Sequence, residues 1–205
     1  MAAASGVRVE ALTGDRIAAA IPDVARLRIA VFRDWPYLYD GSLDYERAYL
    51  SDFAVARDAV IVAAFDGENV VGAATASPLD GHSAQFAPVL AAGGYDPGRV
   101  FYFGESVLLP AYRGRGLGHA FFDEREQHAR ACECPGGGPF AYAAFCAVVR
   151  DQADPRAPRD YRPLDAFWRK RGYRPTDGVV GSYRWQEIGA VAETAHDMQF
   201  WISRL

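Results

Sequence analysis

A glycine-rich turn that carries two arginines is the segment of this chain best equipped for chemistry. Its glycines alternate with other residues at Gly114, Gly116 and Gly118, and its arginines are Arg113 and Arg115. Because glycine has no Cβ, the backbone N–H groups of such a turn can converge on one point. The residues before it predict a strand and those after it predict a helix, whose positive dipole end would face the same point. The pattern predicts a cradle for a phosphate or pyrophosphate, with a plain glycine turn and solvated arginines as the alternative.

Other phosphate-binding motifs do not fit the sequence. A Walker A loop needs Gly-Lys-Ser/Thr, whereas Lys170, the single lysine among 22 basic residues, is followed by Arg171. A Rossmann fingerprint has the spacing Gly-x-Gly-x-x-Gly after the first strand of its domain, but this turn follows the fourth predicted strand. A formal net charge of −4 also argues against general nucleic-acid binding, because phosphate backbones attract basic surfaces.

The cysteines and the apolar runs argue against metal chemistry and a membrane span. Cys132 and Cys134 look like half of a zinc site, but no second pair of cysteines or histidines follows at ligand spacing. The longest apolar stretch, residues 59–65, is far shorter than the roughly 20 residues that cross a bilayer. The beginning of the chain lacks the charged and apolar regions of a secretory signal. We therefore expect no metal, no membrane partner and a cytoplasmic location.

The apolar pattern predicts an α/β (α+β) domain around the turn. Strands are predicted over residues 7–12, 59–65, 70–77, 100–109, 140–149, 179–188 and 196–205, and helices over 15–32, 117–132, 163–171 and, in a shorter piece, about 83–92. Pro22 falls inside the first helical pattern and could delay the start of that helix. The last two strands are expected to pair antiparallel, and residues 1–205 are expected to form a single domain.

The turn and its flanks resemble the acetyl-CoA motif of the GNAT superfamily of N-acetyltransferases, Arg/Gln-x-x-Gly-x-Gly/Ala. Residues 108–118 read Leu-Leu-Pro-Ala-Tyr-Arg-Gly-Arg-Gly-Leu-Gly, which includes the Pro-x-Tyr-Arg-Gly lead-in common in that family. The order of elements is similar over nearly the whole chain, and residues 167–173 match the last helix and its Gly-Phe/Tyr. The resemblance implies a mixed, mostly antiparallel sheet of six to seven strands flanked by helices. It also implies a V-shaped splay between the fourth and fifth strands.

The resemblance implies acetyl-CoA as cosubstrate. The backbone of the turn would hold the CoA pyrophosphate through Arg113, Gly114, Arg115, Gly116, Leu117 and Gly118. The strand end at Leu108 and Leu109 would pair with the pantetheine arm, and the Leu108 N–H would polarise the thioester carbonyl. A bulge in this strand would open the cleft that receives the thioester.

The catalytic groups are less completely specified. Glu105, just upstream of the pantetheine contact, is the candidate base, acting directly or through water; a glutamate bonded to neighbouring arginines is the alternative. Many members of the family carry a tyrosine four residues before the glycine of the last helix, where this chain has Trp168. Tyr161 is the candidate that could protonate the leaving thiolate instead. Cys146 could be a nucleophile, although packing in the core fits a cysteine without an evident base better.

An aromatic segment between the first two helices is where the family binds its acceptor. Trp35, Tyr37 and Tyr39, with Asp40, could hold a cationic amine by cation–π and charge attraction; aromatics that pack a loop on the core are the alternative. The insertion 80–99 is expected to form a second wall.

The resulting hypothesis is an N-acetyltransferase that transfers acetyl to the primary amine of a small molecule by direct attack in a ternary complex. A non-catalytic CoA-binding sensor or interaction module, favoured by Trp168, and an acetyltransferase for protein N-termini or lysines are the alternatives. The apolar residues 198–202 would suit either a homodimer edge or the interior of the sheet.

Overall fold

The computed structural model of the chain describes residues 6–81, 83–151 and 153–205. The first five residues, part of the segment on which the expectation of no secretory signal rests, lie outside this description. Within the described ranges the strands are β1 (Arg8–Leu12), β2 (Val60–Asp66), β3 (Asn69–Pro78), β4 (Val100–Leu108), β5 (Tyr142–Val148), β6 (Arg174–Trp185) and β7 (Thr194–Arg204). The helices are α1 (Asp15–Phe32), α2 (Leu43–Ala54), α3 (Ala87–Ala92), α4 (Leu117–Ala131) and α5 (Asp165–Lys170).

The strands form one mixed sheet in the order β1-β2-β3-β4-β5-β7-β6. Every neighbouring pair is antiparallel except β4 and β5, which run parallel. This arrangement confirms the predicted fold class, including the antiparallel pairing of the last two strands. Because β7 lies between β5 and β6, its apolar residues 198–202 are inside the sheet rather than at a dimer edge.

Helices cover both faces of the sheet, which explains why β2 reads as a continuous apolar run. Val60 and Val62 belong to the core cluster that contains the α4 residue Phe121. Ile61 points the other way, into the cluster that contains Val24 of α1. The two faces therefore have separate cores, one under α4 and one under α1 and α2.

The helices differ from the sequence prediction at two points. Pro22 lies in the middle of α1 and does not delay its start, because burial of Ile17 and Val24 on either side outweighs one lost backbone hydrogen bond. A further helix, α2, follows the aromatic segment, and the Ser42 side chain caps it by accepting a hydrogen bond from the Tyr45 N–H at 3.3 Å. Among the described residues, no helix is both long and apolar enough to cross a membrane.

A bulge in β4 separates it from β5 and opens the predicted V-shaped splay. Between Ala76↔Phe103 and Ala74↔Ser106, β4 advances three residues while β3 advances two. The parallel pairing with β5 covers only the start of β4 and ends at Tyr102↔Ala144. Gly104 allows the bulge, since a Cβ there would lie 2.4 Å from the Thr75 hydroxyl. Beyond this point the two strands diverge and leave a cleft between them.

Candidate active site

The glycine turn has the geometry of an anion cradle at the N-terminus of α4. Gly116 is the N-cap with φ of 83°, and Gly114 has φ of 74°, so both adopt the left-handed conformation that favours glycine. A Cβ built on either residue would meet no heavy atom within 4 Å, so space is open on this side of the turn. The first amides of α4, at Leu117 and Gly118, lie at the positive end of the helix dipole. Backbone donors, open space and helix dipole together suit a pyrophosphate.

The two arginines tie the turn to the residues just before it. Arg113 donates from Nε to the Leu108 carbonyl at 3.2 Å, and Arg115 donates from Nη2 to the Ala111 carbonyl at 2.9 Å. The Arg115 guanidinium also lies over the Tyr112 ring, 5.2 Å from its centroid. Both side chains remain exposed, so the rest of each guanidinium can face an anion.

The end of β4 presents backbone groups to the cleft. Leu109 donates its N–H to the Val71 carbonyl of β3 at 3.0 Å, so Leu109 faces β3. Backbone groups alternate in direction along a strand, so the N–H and carbonyl of Leu108 point away from β3, toward the side where β5 has diverged. The Leu108 carbonyl accepts the hydrogen bond from Arg113, which leaves its N–H directed into the cleft.

On the opposite face of the sheet from α4, a cavity of about 110 Å³ lies at the point where β4 and β5 part. The residues that line it are Arg28, Phe32, Tyr37, Tyr39, Tyr45, Tyr49, Ser83, Gln85, Phe86, Tyr102, Gly104, Glu105, Cys146, Tyr183, Trp185 and Met198. The insertion 80–99 contributes Ser83, Gln85 and Phe86 to this lining.

The structure brings some of the sequence-predicted residues to this cavity and not others. Glu105, Tyr37 and Tyr39 belong to the described lining, whereas Trp35, Asp40 and Tyr161 lie outside it. Asp40 is exposed and faces Arg33 at 3.6 Å. Trp35 and the half-exposed Tyr161 pack edge to face, with ring centroids 6.1 Å apart.

A buried cluster of three charges sits at the cavity floor. Glu105 forms an ion pair with Arg28 of α1, with 2.7 Å between Oε2 and Nη1. Arg28 also pairs through Nε with Glu46 of α2. The side chains of Glu105 and Glu46 are 5% and 0% exposed. The Arg28 guanidinium also lies over the Tyr49 ring, 4.6 Å from its centroid. Glu105 therefore does bond to an arginine, and that arginine holds its carboxylate at the cavity wall.

Sequence reasoning missed Arg28 and the buried pairing of Glu46 with it, although a signal was present. Arg28 lies four residues after Val24 and four before Phe32, on the apolar stripe of its helix. Glu46 lies four residues before the buried Leu50 on α2. A charged residue on an apolar stripe predicts a buried, paired charge.

Cys146 is a neutral thiol within the cavity wall. Its Sγ lies 3.0 Å from the Tyr102 hydroxyl. Burial raises the pKa of Cys146 to about 12, which outweighs the lowering by the hydrogen bond from Tyr102. A thiol that stays protonated is a weak nucleophile, so packing is the better account of this residue.

Beside the cavity, the aromatic loop, residues 33–42, meets the turn after β6. Asp40 donates its N–H to the Gln186 carbonyl at 2.9 Å, and Ile188 donates to the Leu38 carbonyl at 2.8 Å. Arg150 reinforces this contact: Nε and Nη2 donate to the carbonyls of Pro36 (2.6 Å) and Tyr37 (3.0 Å), and Nη1 pairs with Glu187 at 2.6 Å. We call this set of contacts the clasp.

Trp168 of α5 fills a packed position. Its ring lies edge to face with those of Phe145 and Trp201, each at a centroid distance of 5.0 Å. The indole therefore contributes to the core under α4.

Comparison with known proteins gives one family and a shared fold. The sequence profile of the Acetyltransferase (GNAT) family matches residues 25–136, which span more than half of the chain and include β4, the turn and α4. No curated protein matches the chain with significance.

Several solved structures share the fold at low identity. A ribosomal-protein-alanine N-acetyltransferase from Brucella melitensis is 15% identical, covers 97% of this chain and 99% of its own, and has a TM-score of 0.59. The yncA protein of Salmonella typhimurium, solved with its cofactor acetyl-CoA, is 13% identical, covers 98% and 95%, and has a TM-score of 0.58. An IAA acetyltransferase from Bacillus cereus is 14% identical, covers 98% and 100%, and has a TM-score of 0.53.

Proposed function

The chain belongs to the GNAT family of acetyltransferases, and from this premise we propose that it transfers acetyl from acetyl-CoA to the primary amine of a small molecule. In this proposal residues 1–205 act as one catalytic domain. CoA binds at the α4 face, and the acceptor enters the cavity on the other face.

The cradle supports the CoA half of the proposal. The amides at the start of α4, the open space beside Gly114 and Gly116, and the exposed Arg113 and Arg115 fit a pyrophosphate. The fold is shared with the yncA protein that was solved with acetyl-CoA. Leu108 would pair with the pantetheine arm along the open edge of β4, which would bring the thioester to the bulge. Leu109 was expected to share this role, but its N–H is bonded to the Val71 carbonyl of β3.

Glu105 and Leu108 supply the groups that acyl transfer needs. Glu105 takes one proton from the ammonium form of the acceptor, and the freed amine attacks the thioester carbonyl. The Leu108 N–H donates to the carbonyl oxygen as it gains negative charge. The C–N bond forms and the C–S bond breaks; the second amine proton passes to the thiolate, by way of Tyr161 or solvent, and Glu105 returns its proton to solvent.

The clasp is the observation that supports a small molecule, rather than a protein, as the acceptor. A protein acceptor needs an extended groove in which several residues of its chain can lie. Here backbone hydrogen bonds from Asp40 and Ile188, together with Arg150, join the two segments that border the cavity. The cavity behind them has a volume of about 110 Å³, which favours a compact acceptor. The Brucella neighbour named for a ribosomal protein shares this fold, and at 15% identity its acceptor does not transfer to this chain.

A CoA sensor is the second candidate, and Trp168 is the observation that favours it. Tryptophan cannot protonate a leaving thiolate, and the Trp168 ring is fixed between Phe145 and Trp201. A protein that binds CoA without turnover would have no need of a proton donor there.

Thermal unfolding with and without acetyl-CoA, followed by thiol release in the presence of an amine panel, tests both candidates. We expect a higher Tm with acetyl-CoA, because a ligand that binds the folded state stabilises it, and release of free CoA with at least one amine class. A higher Tm without thiol release for any amine would support the sensor. An unchanged Tm would contradict both, since each requires the CoA cradle.

A further inference from the structure

The charge of the cavity floor limits the kind of acceptor that can bind. Arg28 and Glu105 are the charged residues within the described lining, and Glu46 lies behind Arg28. Two carboxylates and one guanidinium leave this cluster with a net charge of −1. One cation in the cavity would neutralise it, and an ammonium beside Glu105 is that cation.

Arg28 is not free to receive an anion. Its Nε already pairs with Glu46, and its Nη1 pairs with Glu105. The Arg28 side chain is 10% exposed, and its guanidinium is covered on one side by the Tyr49 ring. An acceptor carboxylate would therefore find a cation whose charge is already matched by two buried carboxylates.

An α-amino acid fits this floor poorly for a geometric reason. Its carboxylate is attached to the carbon that carries the amine, so an amine that reaches Glu105 brings the carboxylate toward the same place. Like charges at such short separation repel strongly where water is scarce. The same amine without the carboxylate meets no such repulsion.

The remaining walls favour an apolar body. Aromatic rings dominate the lining, with Tyr37, Tyr49 and Tyr183 among them, and their faces can stabilise an ammonium by cation–π attraction. The volume of about 110 Å³ is smaller than the roughly 150 Å³ of a cavity that holds benzene. This comparison allows a body of at most about six heavy atoms.

We infer that the acceptor is a compact, apolar primary monoamine without an α-carboxylate, and that Glu46 sets this preference by occupying Arg28. This inference rests on the proposed acetyl transfer and narrows its substrate class. Glu46 acts through Arg28 and is a specificity residue rather than a catalytic one.

Matched amine pairs that differ only in the carboxylate test the inference directly. Isoamylamine against leucine, and isobutylamine against valine, are compared by kcat/KM for acetyl-CoA-dependent thiol release. We expect each amine to exceed its amino acid by about 100-fold or more, since a buried unpaired charge is a costly mismatch. Amino acids have the less basic amine, so they present more free amine at equal pH, and basicity cannot produce the expected preference.

The Glu46→Gln variant tests the assigned cause. It removes one negative charge from the cluster while keeping the side-chain shape, so Arg28 gains capacity for an acceptor carboxylate. We expect the isoamylamine-to-leucine ratio to fall at least tenfold, mostly through a gain for leucine. Asp44→Asn, an exposed acidic residue on the same helix, is the matched control and should leave the ratio unchanged.

The outcomes separate the inference from the proposed function. Turnover of leucine equal to or better than that of isoamylamine would overturn the inference and leave acetyl transfer to amines intact. If neither member of any pair, nor any other amine, causes thiol release, the proposed function itself is contradicted. The wild-type ratio does not depend on a variant, so a Glu46→Gln protein that fails to fold still leaves the substrate class tested.

Discussion

Arg28 on α1 and Glu105 on β4 form a buried ion pair, with 2.7 Å between Nη1 and Oε2, at the bulge that opens the sheet. The pair joins the helix that covers one face of the sheet to the strand that carries the cleft. It fixes the Glu105 carboxylate at the cavity wall, where an acceptor amine would have to arrive. Glu46 on the far side of Arg28 completes the cluster, so the orientation of the candidate base depends on three separate elements.

Glu105→Gln tests the assignment of the base. The amide cannot accept the ammonium proton, so kcat should fall by about 10²- to 10⁴-fold, the usual range for a general base. The residual rate should keep rising with pH, because free amine then arises only by its own ionisation. The wild-type rate should level off. The measurement is the pH–rate profile of thiol release under saturating acetyl-CoA.

Glu68→Gln provides the control for that experiment. Glu68 is exposed in the turn between β2 and β3, so its replacement removes the same charge from the chain without touching the cavity. Its profile should match that of the wild type. A Glu105→Gln enzyme that has the kcat and the Tm of the wild type would exclude Glu105 as the base.

Gly116→Val tests the cradle. The new side chain would occupy the open space beside the turn, in the place where the pyrophosphate is proposed to lie, and would force an unfavourable left-handed conformation on valine. We expect acetyl-CoA affinity to fall at least tenfold by calorimetry. Gly137→Val is the matched control, since Gly137 has φ of 84°, equally open surroundings and a position in the loop that follows α4. Equal loss of affinity in both variants would argue that backbone strain, and not the cradle, is responsible.

Cys146→Ser tests whether the buried thiol takes part in the chemistry. A thiol with a pKa of about 12 is protonated at neutral pH, and serine can keep the hydrogen bond to Tyr102. We expect kcat to change by no more than about threefold, with a modest loss of stability from the polar hydroxyl. Loss of activity by several orders of magnitude, with an unchanged Tm, would instead indicate a covalent acetyl-cysteine route.

Local sequence signals were enough for the sheet and for the conformation of the glycine turn before α4. The apolar run of β2 and the three glycines before α4 dictate their own backbone conformation, so they can be recognised without knowing what they contact. The same is true of the position of Glu105 on the motif strand. These features rest on periodicity and on the special geometry of glycine.

The partners of the site residues depend on tertiary packing that no local pattern encodes. Glu105 meets Arg28 only because the bulge at Gly104 puts Glu105 on the face of the sheet that α1 covers. The clasp relies on the backbone carbonyls of Pro36 and Tyr37, and carbonyl acceptors leave no mark in a sequence. Tertiary packing also decides the surroundings of Asp40: its charge suggested amine binding, but the carboxylate faces Arg33 in solvent.

The stack of His196 on Trp185 predicts how stability depends on pH near the clasp. The two rings lie 3.6 Å apart, and Trp185 donates from Nε1 to the Tyr37 carbonyl at 2.9 Å. Burial lowers the pKa of His196 from its ordinary value of 6.5, Arg150 adds to this effect, and Glu187 opposes it. The folded protein therefore favours neutral His196. The stability contributed by neutral His196 is fully present above pH 6.5 and is lost as the pH falls through the lowered pKa of this residue.

His196→Phe should keep the stack and remove this dependence. We expect the Tm of the variant, relative to wild type, to increase steadily as the pH is lowered from about 8 to about 5, because only the wild type must bury a cation. Burial alone would raise the pKa of Glu187, but hydrogen bonds from Arg156 and Arg150 outweigh burial and lower this pKa below its ordinary value of 4.5. The Glu187 carboxylate therefore becomes protonated only at a pH below 4.5. The interval between 6.5 and 4.5 thus isolates the histidine from the carboxylate it faces. A Tm difference that does not vary with pH across that interval would mean that His196 ionises in the folded protein as it does in the unfolded chain.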